Sequence, residues 1–387
     1  MSVPARWIAP TAFTTAALIA VAGVVVYALP NQTRTVPGRT LDGLPVTAVD
    51  AGIGGCARPP SEVTGGAQVF AVTNRTTHAL EITVAGAAGT VYAELEGVGP
   101  GSTRQMQVSL ARGVYHFACY FTDVPAVSGG VFAVTGGTAP ATRGVAPLST
   151  QDLTPVTLQY QAWIASRLPA LQAAVRALAA APDVTAQRSA WLAAHHLYET
   201  LGAAYDAFGD WDTKINDPGP PAPTSGFHAI EAALWGPQPT VPADLERQLQ
   251  TDVDGLTADF PNIAVDPLQI GLRAHEITEN TIEFTLTGAD DLGSHASLDT
   301  ALANLEGTRR LLDLLTPLLS TRYPRLGATR SALDQTVTVV TAMATKYPGR
   351  AVSSFSQADR ERLNASFGGL VELLAPIAAI TDVRRTN

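Results

Sequence analysis

The period of the hydrophobic pattern changes near GGTAPATRGVAP (136–147), and this change constrains the fold more than any other feature of the chain. Before it, short runs such as AQVFAVTN (67–74) alternate apolar and polar residues and are separated by turn residues, a pattern typical of a β-sandwich. After it, runs such as QYQAWIASRLPALQAAVRALAAA (159–181) place apolar residues at helical spacing. The sequence therefore predicts two domains of different class, and 387 residues are enough for both.

The predicted fold class is a multidomain chain in which a β-sandwich precedes an all-α helical bundle. Strands are predicted at 67–74, 79–86, 89–96, 104–111 and 113–121. Long helices joined by short loops predict an antiparallel bundle, with helices at 159–181, 185–208, 227–235, 241–258, 266–288, 296–319, 327–346 and 357–380. The predicted order is a signal peptide or membrane anchor at 1–30, a linker at 31–44, the sandwich at 45–135, a linker at 136–150 and the bundle at 151–382.

The N-terminal segment predicts export from the cytoplasm. Arg6 precedes an uncharged run from Ile8 to Leu29, and Val26-Tyr27-Ala28 would serve as a small-residue cleavage site. The run fits either a cleaved signal peptide or a single membrane anchor. We therefore expect the mature chain outside the cytoplasm, in the periplasm or at the cell surface, with N-terminal membrane contact if the segment is retained.

The net charge of the chain indicates which class of ligand it favours. Charged residues make up only 15% of the chain and hydrophobic residues 46%, which indicates a globular protein with ample core material. The formal net charge is −9. An acidic protein is a poor partner for nucleic acid or for an anionic membrane surface and attracts cations instead.

The decapeptide GFHAIEAALW (226–235) carries the most informative polar pair. It follows NDPGPPAPTSG (216–226), a loop that no helix could cross. His228 and Glu231 are three positions apart, so they share one face of the short helix. Because an imidazole and a carboxylate side by side can hold a metal ion, the pair predicts a metal site.

Two other predicted helical segments carry carboxylates at helical spacing, and one of them is followed by two further carboxylates. Glu199 follows His195 by four positions, and the FGDWD segment behind it supplies Asp210 and Asp212. In AHEITENTIEF (274–284) the acidic positions are Glu276, Glu279 and Glu283, of which Glu283 is more simply explained as part of a solvated face. Burying a lone carboxylate is costly, and a cation shared between facing helices would remove that cost. Oxygen-rich ligation with one or two imidazoles suits iron, manganese or zinc rather than copper(I).

The chain lacks the usual hydrolase motifs. HAIE (228–231) supplies one His and one Glu, and HEITE (275–279) ends in Glu where the zinc-protease motif HExxH requires His. A G-x-S-x-G nucleophile elbow does not occur in the sequence. Nothing in these residues requires catalysis, so the sequence predicts a protein that is not an enzyme.

Four motifs in order resemble the imelysin-like domain of EfeO-type iron-uptake proteins. They are AHHLYETLGAAYDAFGDWDTKIND (194–217), GFHAIEAALWG (226–236), AHEITENTIEFTLTG (274–288) and SHASLDTALANLEGTRRLLDLLTP (294–317). The family's hallmark is an H-x-x-E pair, here His228 and Glu231. The resemblance implies that these two bind the metal together with Glu199 and with Glu279 or Glu276, and that Asp212 lies nearby.

The β region resembles, more loosely, the cupredoxin-like domain that precedes the bundle in many members of that family. The matching residues are Cys56 in GGCARPP, Cys119 in the run that starts at Gly113, and ALE at 79–81. Cys119 is followed by YFTDVPAVSGG, without the His and Met that a blue-copper site needs, so a type-1 copper centre is not expected. Two alternatives stay open for Cys56 and Cys119, a disulfide or a second metal site.

The resemblance implies an extracytoplasmic protein that binds iron and passes it to a membrane permease with a haem-peroxidase partner. Zinc or another divalent ion at the same site is the alternative cargo. Two other functions remain open at the level of sequence: a zinc-dependent metallopeptidase of the imelysin-like type, and a non-catalytic surface interaction protein. Protonation of His228 is a hypothesis for release of the ion, because metal ligands must be deprotonated to bind.

Overall fold

The structure is a computed structural model that describes residues 43–44, 46–57, 60–122, 124–137, 141–216, 219 and 223–383. The predicted signal or anchor at 1–30 lies outside the described residues, as does all of the 31–44 linker except its last two positions. The chain divides into two compact units, with the boundary between Gly144 and Val145. The first is a β-sandwich and the second is helical, so the predicted fold class is confirmed.

The first unit contains eight strands among its described residues. They are β1 Val46–Ala51, β2 Glu62–Thr64, β3 Gly66–Asn74, β4 Leu80–Ala85, β5 Val91–Val98, β6 Thr103–Leu110, β7 Gly113–Phe121 and β8 Val124–Thr135. One sheet has the order β1-β3-β6 and the other has the order β2-β8-β7-β4-β5. All neighbours are antiparallel except β1 with β3 and β2 with β8. The inward residues of both sheets form one core, in which Phe70, Phe117 and Phe132 pack ring against ring.

Cys56 and Cys119 form a disulfide in this core, with their Cα atoms 5.5 Å apart. Both residues are buried, at 2% and 0% exposure. Cys119 lies on β7, and Cys56 forms a bridge with Gly129 of β8. Of the two alternatives that the sequence left open, the structure contains the disulfide.

All five predicted strands are present, and three further strands were not predicted. β8 escaped prediction because it contains Pro125, Gly129 and Gly130 and its pairing with β7 shifts register. Glycine is required at 129, where a Cβ would lie 2.9 Å from the Phe117 carbonyl oxygen. A strand therefore forms here despite residues of low β-propensity, because the close backbone packing requires glycine.

The second unit contains ten α-helices among its described residues. They are α1 Thr150–Ala179, α2 Val184–Glu199, α3 Tyr205–Phe208, α4 Asp210–Asn216, α5 Gly226–Leu234, α6 Ala243–Asp259, α7 Gln269–Asn280, α8 Ser297–Leu319, α9 Leu326–Lys346 and α10 Gln357–Thr381. A π-helical turn, Thr281–Thr285, continues α7. α1 begins nine residues before the predicted start, because Ser149 and Asp152 form a capping box at its N-terminus.

The helix predicted at 185–208 is interrupted after Glu199. A 3-10 turn, Gly202–Ala204, separates α2 from α3. α8 packs tightly against this interruption, since a Cβ on Gly307 would lie 2.7 Å from the Thr200 carbonyl oxygen. The interruption matters for the site described below, because it redirects the chain into α3 and α4 while α2 keeps its last turn against the bundle core.

Large aromatic residues such as Tyr160, Trp191 and Phe227 fill the core of the helical unit. α10 is long and apolar enough to cross a membrane by length and composition alone. Its Leu363, Phe367 and other apolar residues are however buried in this core. Packing inside the bundle therefore accounts for part of its apolar character.

Candidate functional site

The helical unit contains a cavity of about 310 Å³ between α2, α4, α5, the end of α7 and the start of α8. Its acidic and histidine lining residues come from four separate segments of the chain. They are His195, Glu199, Asp212, His228, Glu231, Asp290 and Asp291. Neutral polar groups complete much of the wall, including Asn216, Asn280, Thr285, Ser294, Ser297, Thr300 and Asn304. No Lys or Arg occurs among the described residues that line it.

α5 supplies the first His/Glu pair. The helix begins at Gly226 with φ of 74°, a conformation that favours glycine, and a Cβ there would overlap the Ile215 carbonyl. His228 and Glu231 lie on the buried face, at 4% and 1% exposure. His228 Nδ1 is 2.9 Å from Glu231 Oε2. The pair predicted from spacing is therefore one contiguous buried unit on the cavity wall.

α2 supplies a second His/Glu pair. His195 Nε2 lies 3.1 Å from Glu199 Oε1, and Asn216 Nδ2 donates to the same carboxylate oxygen at 2.7 Å. Trp191 stacks on the His195 ring with centroids 4.6 Å apart. The centroids of the His195 and His228 rings are 5.5 Å apart, so the two pairs are neighbours.

Two aspartates extend the acidic wall. Asp290 follows the π-helical turn and accepts a hydrogen bond from Thr285 Oγ1 at 2.8 Å. Asp212 of α4 accepts one from the Tyr198 hydroxyl at 2.6 Å. Both carboxylates are thus held by hydroxyl donors at the cavity, where no fixed positive side chain offsets them among the lining residues described.

The electrostatics of the two pairs are coupled. Burial by itself would lower the pKa of His195, but the Glu199 carboxylate, aided by Glu231 and Asp290, outweighs it and raises that pKa. Burial acts to raise the pKa of Glu199, but His195 and the Asn216 hydrogen bond hold it below its ordinary value. The pKa of Glu231 is likewise lowered, against the effect of burial, by its hydrogen bonds with His228 and Ser294.

Asp290 behaves differently from these two glutamates. Burial raises its pKa, and the nearby Glu199 charge adds to the effect, while the Thr285 hydrogen bond opposes it. A carboxylate whose ionised form is disfavoured in this way gains from a cation brought close to it. The cavity is therefore acidic and, among the described residues that line it, short of positive charge.

The structure brings His228, Glu231, Glu199 and Asp212 to this one cavity. It does not bring Glu276 and Glu279 there. Glu276 pairs with Arg273 at 2.7 Å, and the Glu279 side chain is 55% exposed beside His275. Both point away because they lie on the side of α7 opposite its buried residues.

Asp290, Asp291 and Asn216 line the cavity and were missed by sequence reasoning, and His195 was noticed without being included among the predicted ligands. The only signal for His195 is its spacing of four from Glu199. Asp290 lies in an irregular loop, where periodicity carries no information. Among the described residues, no group of three or more His, Cys, Asp or Glu side chains is arranged to hold one ion as placed.

The comparisons with known proteins agree with this architecture. The model of the family described as Peptidase_M75: Imelysin matches residues 156–377. The iron uptake system component EfeO of Escherichia coli strain K12 is 26% identical over 334 residues, covering 82% of this chain and 86% of that protein. The EfeO proteins of Shigella flexneri and Shigella sonnei match with the same identity and coverage. The resemblance to EfeO-type proteins inferred from four motifs is confirmed.

Proposed function

This chain belongs to the imelysin family, and we propose that it is an extracytoplasmic iron-binding component of an iron uptake system. The similarity to EfeO over 82% of the chain supports the assignment to iron uptake. The acidic cavity of the helical unit supports cation capture. The role proposed is binding and delivery rather than catalysis.

One observation carries the proposal: two His/Glu pairs from separate helices meet at one cavity wall, with a further carboxylate beside them. His195 and Glu199 come from α2, His228 and Glu231 from α5, and Asp290 from the loop before α8. Imidazole nitrogen and carboxylate oxygen together suit iron, with zinc as the nearest alternative. A bundle core with donors on facing helices is a common place for such sites.

Binding would exchange hydrogen bonds for metal bonds. His195 Nε2 now lies 3.1 Å from Glu199 Oε1 and 3.2 Å from Asn216 Oδ1, and His228 Nδ1 shares a hydrogen bond with Glu231 Oε2. The ion would take the place of the shared proton in at least one pair and draw Asp290 inward, with Asp212 near the ligand set. Deprotonated ligands are required, so ion and protons compete for the same atoms. The cavity of about 310 Å³ is far larger than a bare ion, so bound water would complete the coordination.

Delivery follows from the same chemistry. We propose that the ion passes to a membrane iron permease, with a haem-peroxidase partner in the same system. Protonation of His228 or its neighbours is the proposed release step, since it removes a ligand. The N-terminal run at 8–29 would either export the protein or tether it to the membrane. A retained tether would keep it near a permease.

The test measures iron binding directly. Trp191 stacks on His195, so binding of a paramagnetic ion beside it should quench its fluorescence. The wild-type protein is titrated with Fe²⁺ under anaerobic conditions and with Fe³⁺, and binding is confirmed by calorimetry. The variant His228→Ala/Glu231→Ala should lose affinity by about 100-fold or more, equivalent to about 2.7 kcal/mol.

Ser356→Ala is the control, because it removes a short serine–carboxylate hydrogen bond at the N-terminus of α10, outside the cavity lining. It should bind iron like the wild type. Equal affinity of the double variant and the wild type, or no binding by the wild type at all, would remove the proposal. Cleavage of unfolded substrates by the zinc-loaded protein would favour the peptidase instead.

A further inference from the structure

The loop between the π-helical turn and α8 is folded around one oxygen of Glu231. Glu231 Oε1 accepts hydrogen bonds from the Leu292 amide at 2.9 Å, the Ser294 amide at 3.2 Å and the Ser294 hydroxyl at 2.5 Å. The other oxygen, Oε2, faces His228 Nδ1 at 2.9 Å. The two oxygens of one buried carboxylate therefore have separate roles.

A second carboxylate holds the loop in the shape that makes this possible. Asp291 Oδ1 accepts the amides of Gly293 at 2.9 Å and His295 at 3.0 Å, and Asp291 Oδ2 lies 3.3 Å from His295 Nδ1. Successive amides thus alternate between two acceptors. Those of 292 and 294 point to Glu231, and those of 293 and 295 point to Asp291.

This conformation is not one that the backbone prefers. His295 has φ of 56°, the only positive φ at a non-glycine position among the described residues. Gly293 has φ of 122°, and a Cβ there would lie 3.2 Å from Trp235 Cβ. Left-handed conformations at such residues persist where surrounding interactions enforce them, and they concentrate at functional sites. The hydrogen bonds to Asp291 and Glu231 are those interactions.

We propose that the segment Asp291–His295, here called the clamp loop, is a positioning element for Glu231 and makes it a ligand through one oxygen only. The inference rests on the proposed function of this cavity. Oε1 already accepts three donors and has no lone pair left for an ion. Oε2, beside the His228 imidazole, is the oxygen that remains. Ser294 is the positioning residue, because its side chain makes the shortest of the three contacts.

One-oxygen ligation has a measurable consequence. A carboxylate that is prevented from rotating offers one bond to the ion, so the coordination number stays low and His228 and Glu231 keep a fixed mutual geometry. Partners that orient metal ligands typically contribute about 10–100-fold in affinity. Loss of the Ser294 hydroxyl leaves Oε1 with the two longer contacts, from the Leu292 and Ser294 amides, so the carboxylate is held less firmly and can turn toward the ion.

The experiment uses Co²⁺ alone as a spectroscopic probe on the full chain. The visible absorption of bound Co²⁺ weakens as its coordination number rises. Ser294→Ala should bind Co²⁺ about tenfold more weakly and show a weaker visible band. Ser294→Thr, which keeps the hydroxyl, should restore both. Ser356→Ala, which removes an equally short serine–carboxylate contact at 2.5 Å, should match the wild type.

Circular dichroism checks that each variant folds. If Ser294→Ala does not fold, Ser294→Gly replaces it, because it also removes the hydroxyl and adds no metal ligand; the same losses are expected. A folded variant with wild-type affinity and an unchanged Co²⁺ spectrum overturns the clamp loop and leaves the proposed function intact. A wild-type protein that binds neither Co²⁺ nor iron overturns both.

Discussion

The two units of this protein use their buried polar chemistry in opposite ways. In the β-sandwich, Cys56 and Cys119 are bonded to each other and packed among the core aromatic rings. In the helical unit, the His/Glu pairs are held only by non-covalent contacts and line a cavity of about 310 Å³. A covalent bond removes both partners from ligand chemistry. A hydrogen-bonded pair can exchange its proton for a cation, so we expect the helical unit to bind the ion and the β unit to contribute stability.

Removal of the disulfide is the largest expected perturbation of this division. Cys56→Ala/Cys119→Ala opens a loop closed over a sequence separation of 63, which corresponds to a loss of about 4 kcal/mol in the free energy of unfolding. Scanning calorimetry or denaturant unfolding of the β unit measures it. Iron affinity of the folded variant should stay within about twofold of wild type, a free-energy change of less than about 0.5 kcal/mol.

A folded variant whose iron affinity falls tenfold would contradict this division of roles between the two units. Such a result would place part of the ion site in the β unit. A loss of stability without a change in iron affinity would support the division of roles.

A second prediction separates the carboxylates at the cavity from those predicted by spacing alone. Asp290→Ala should lower iron affinity about tenfold, equivalent to about 1.4 kcal/mol, because it removes one carboxylate from an acidic wall. Glu279→Ala is the matched control, since this side chain is 55% exposed and does not line the cavity. Calorimetric titration measures both. If Glu279→Ala lowers iron affinity as much as Asp290→Ala does, Glu279 of α7 would belong to the ligand set after all.

Local patterns were enough to predict most of the fold. Alternating runs identified five strands, and helical periodicity identified the main helices. The failures share a physical cause: tertiary contacts overrode local preference. β8 has glycines where it crosses Phe117 closely, and the helix predicted to run to 208 stops after Glu199, where Gly307 of α8 packs against the Thr200 carbonyl.

The site was predicted only as far as helical spacing reaches. His228 with Glu231 and Glu199 with His195 share helix faces, so spacing shows their proximity. Spacing does not show which face is buried, and Glu276 and Glu279 satisfied the same rule on the outer side of α7. Asp290, Ser294 and the clamp loop lie in irregular backbone, where positions depend on hydrogen bonds that no period encodes.

The smallest expected effect is the pH dependence of the metal-free helical unit. Glu199 and Glu231 have lowered pKa values, so their stabilising contribution is present above their ordinary value of 4.5 and is lost as pH falls through the lowered value. His195 has a raised pKa, so its contribution is present below 6.5 and is lost as pH rises through the raised value. Asp290 has a raised pKa, so its ionisation lowers the free energy of unfolding as pH rises above its ordinary value of 3.8. This effect opposes that of Glu199 and Glu231.

Metal-free stability of the helical unit should therefore be greatest between about pH 5 and 6, which thermal unfolding in chelator-treated buffers measures. Glu199→Gln should flatten both sides, because it removes one lowered carboxyl pKa and the main charge that raises the pKa of His195. In the β unit the shifted groups, Tyr115 and Tyr120, have pKa values above 10 and lie outside this range. A Glu199→Gln profile identical to that of the wild type would mean that the His195–Glu199 pair is not formed in solution, and the exchange of its shared proton for a cation would then lose its basis.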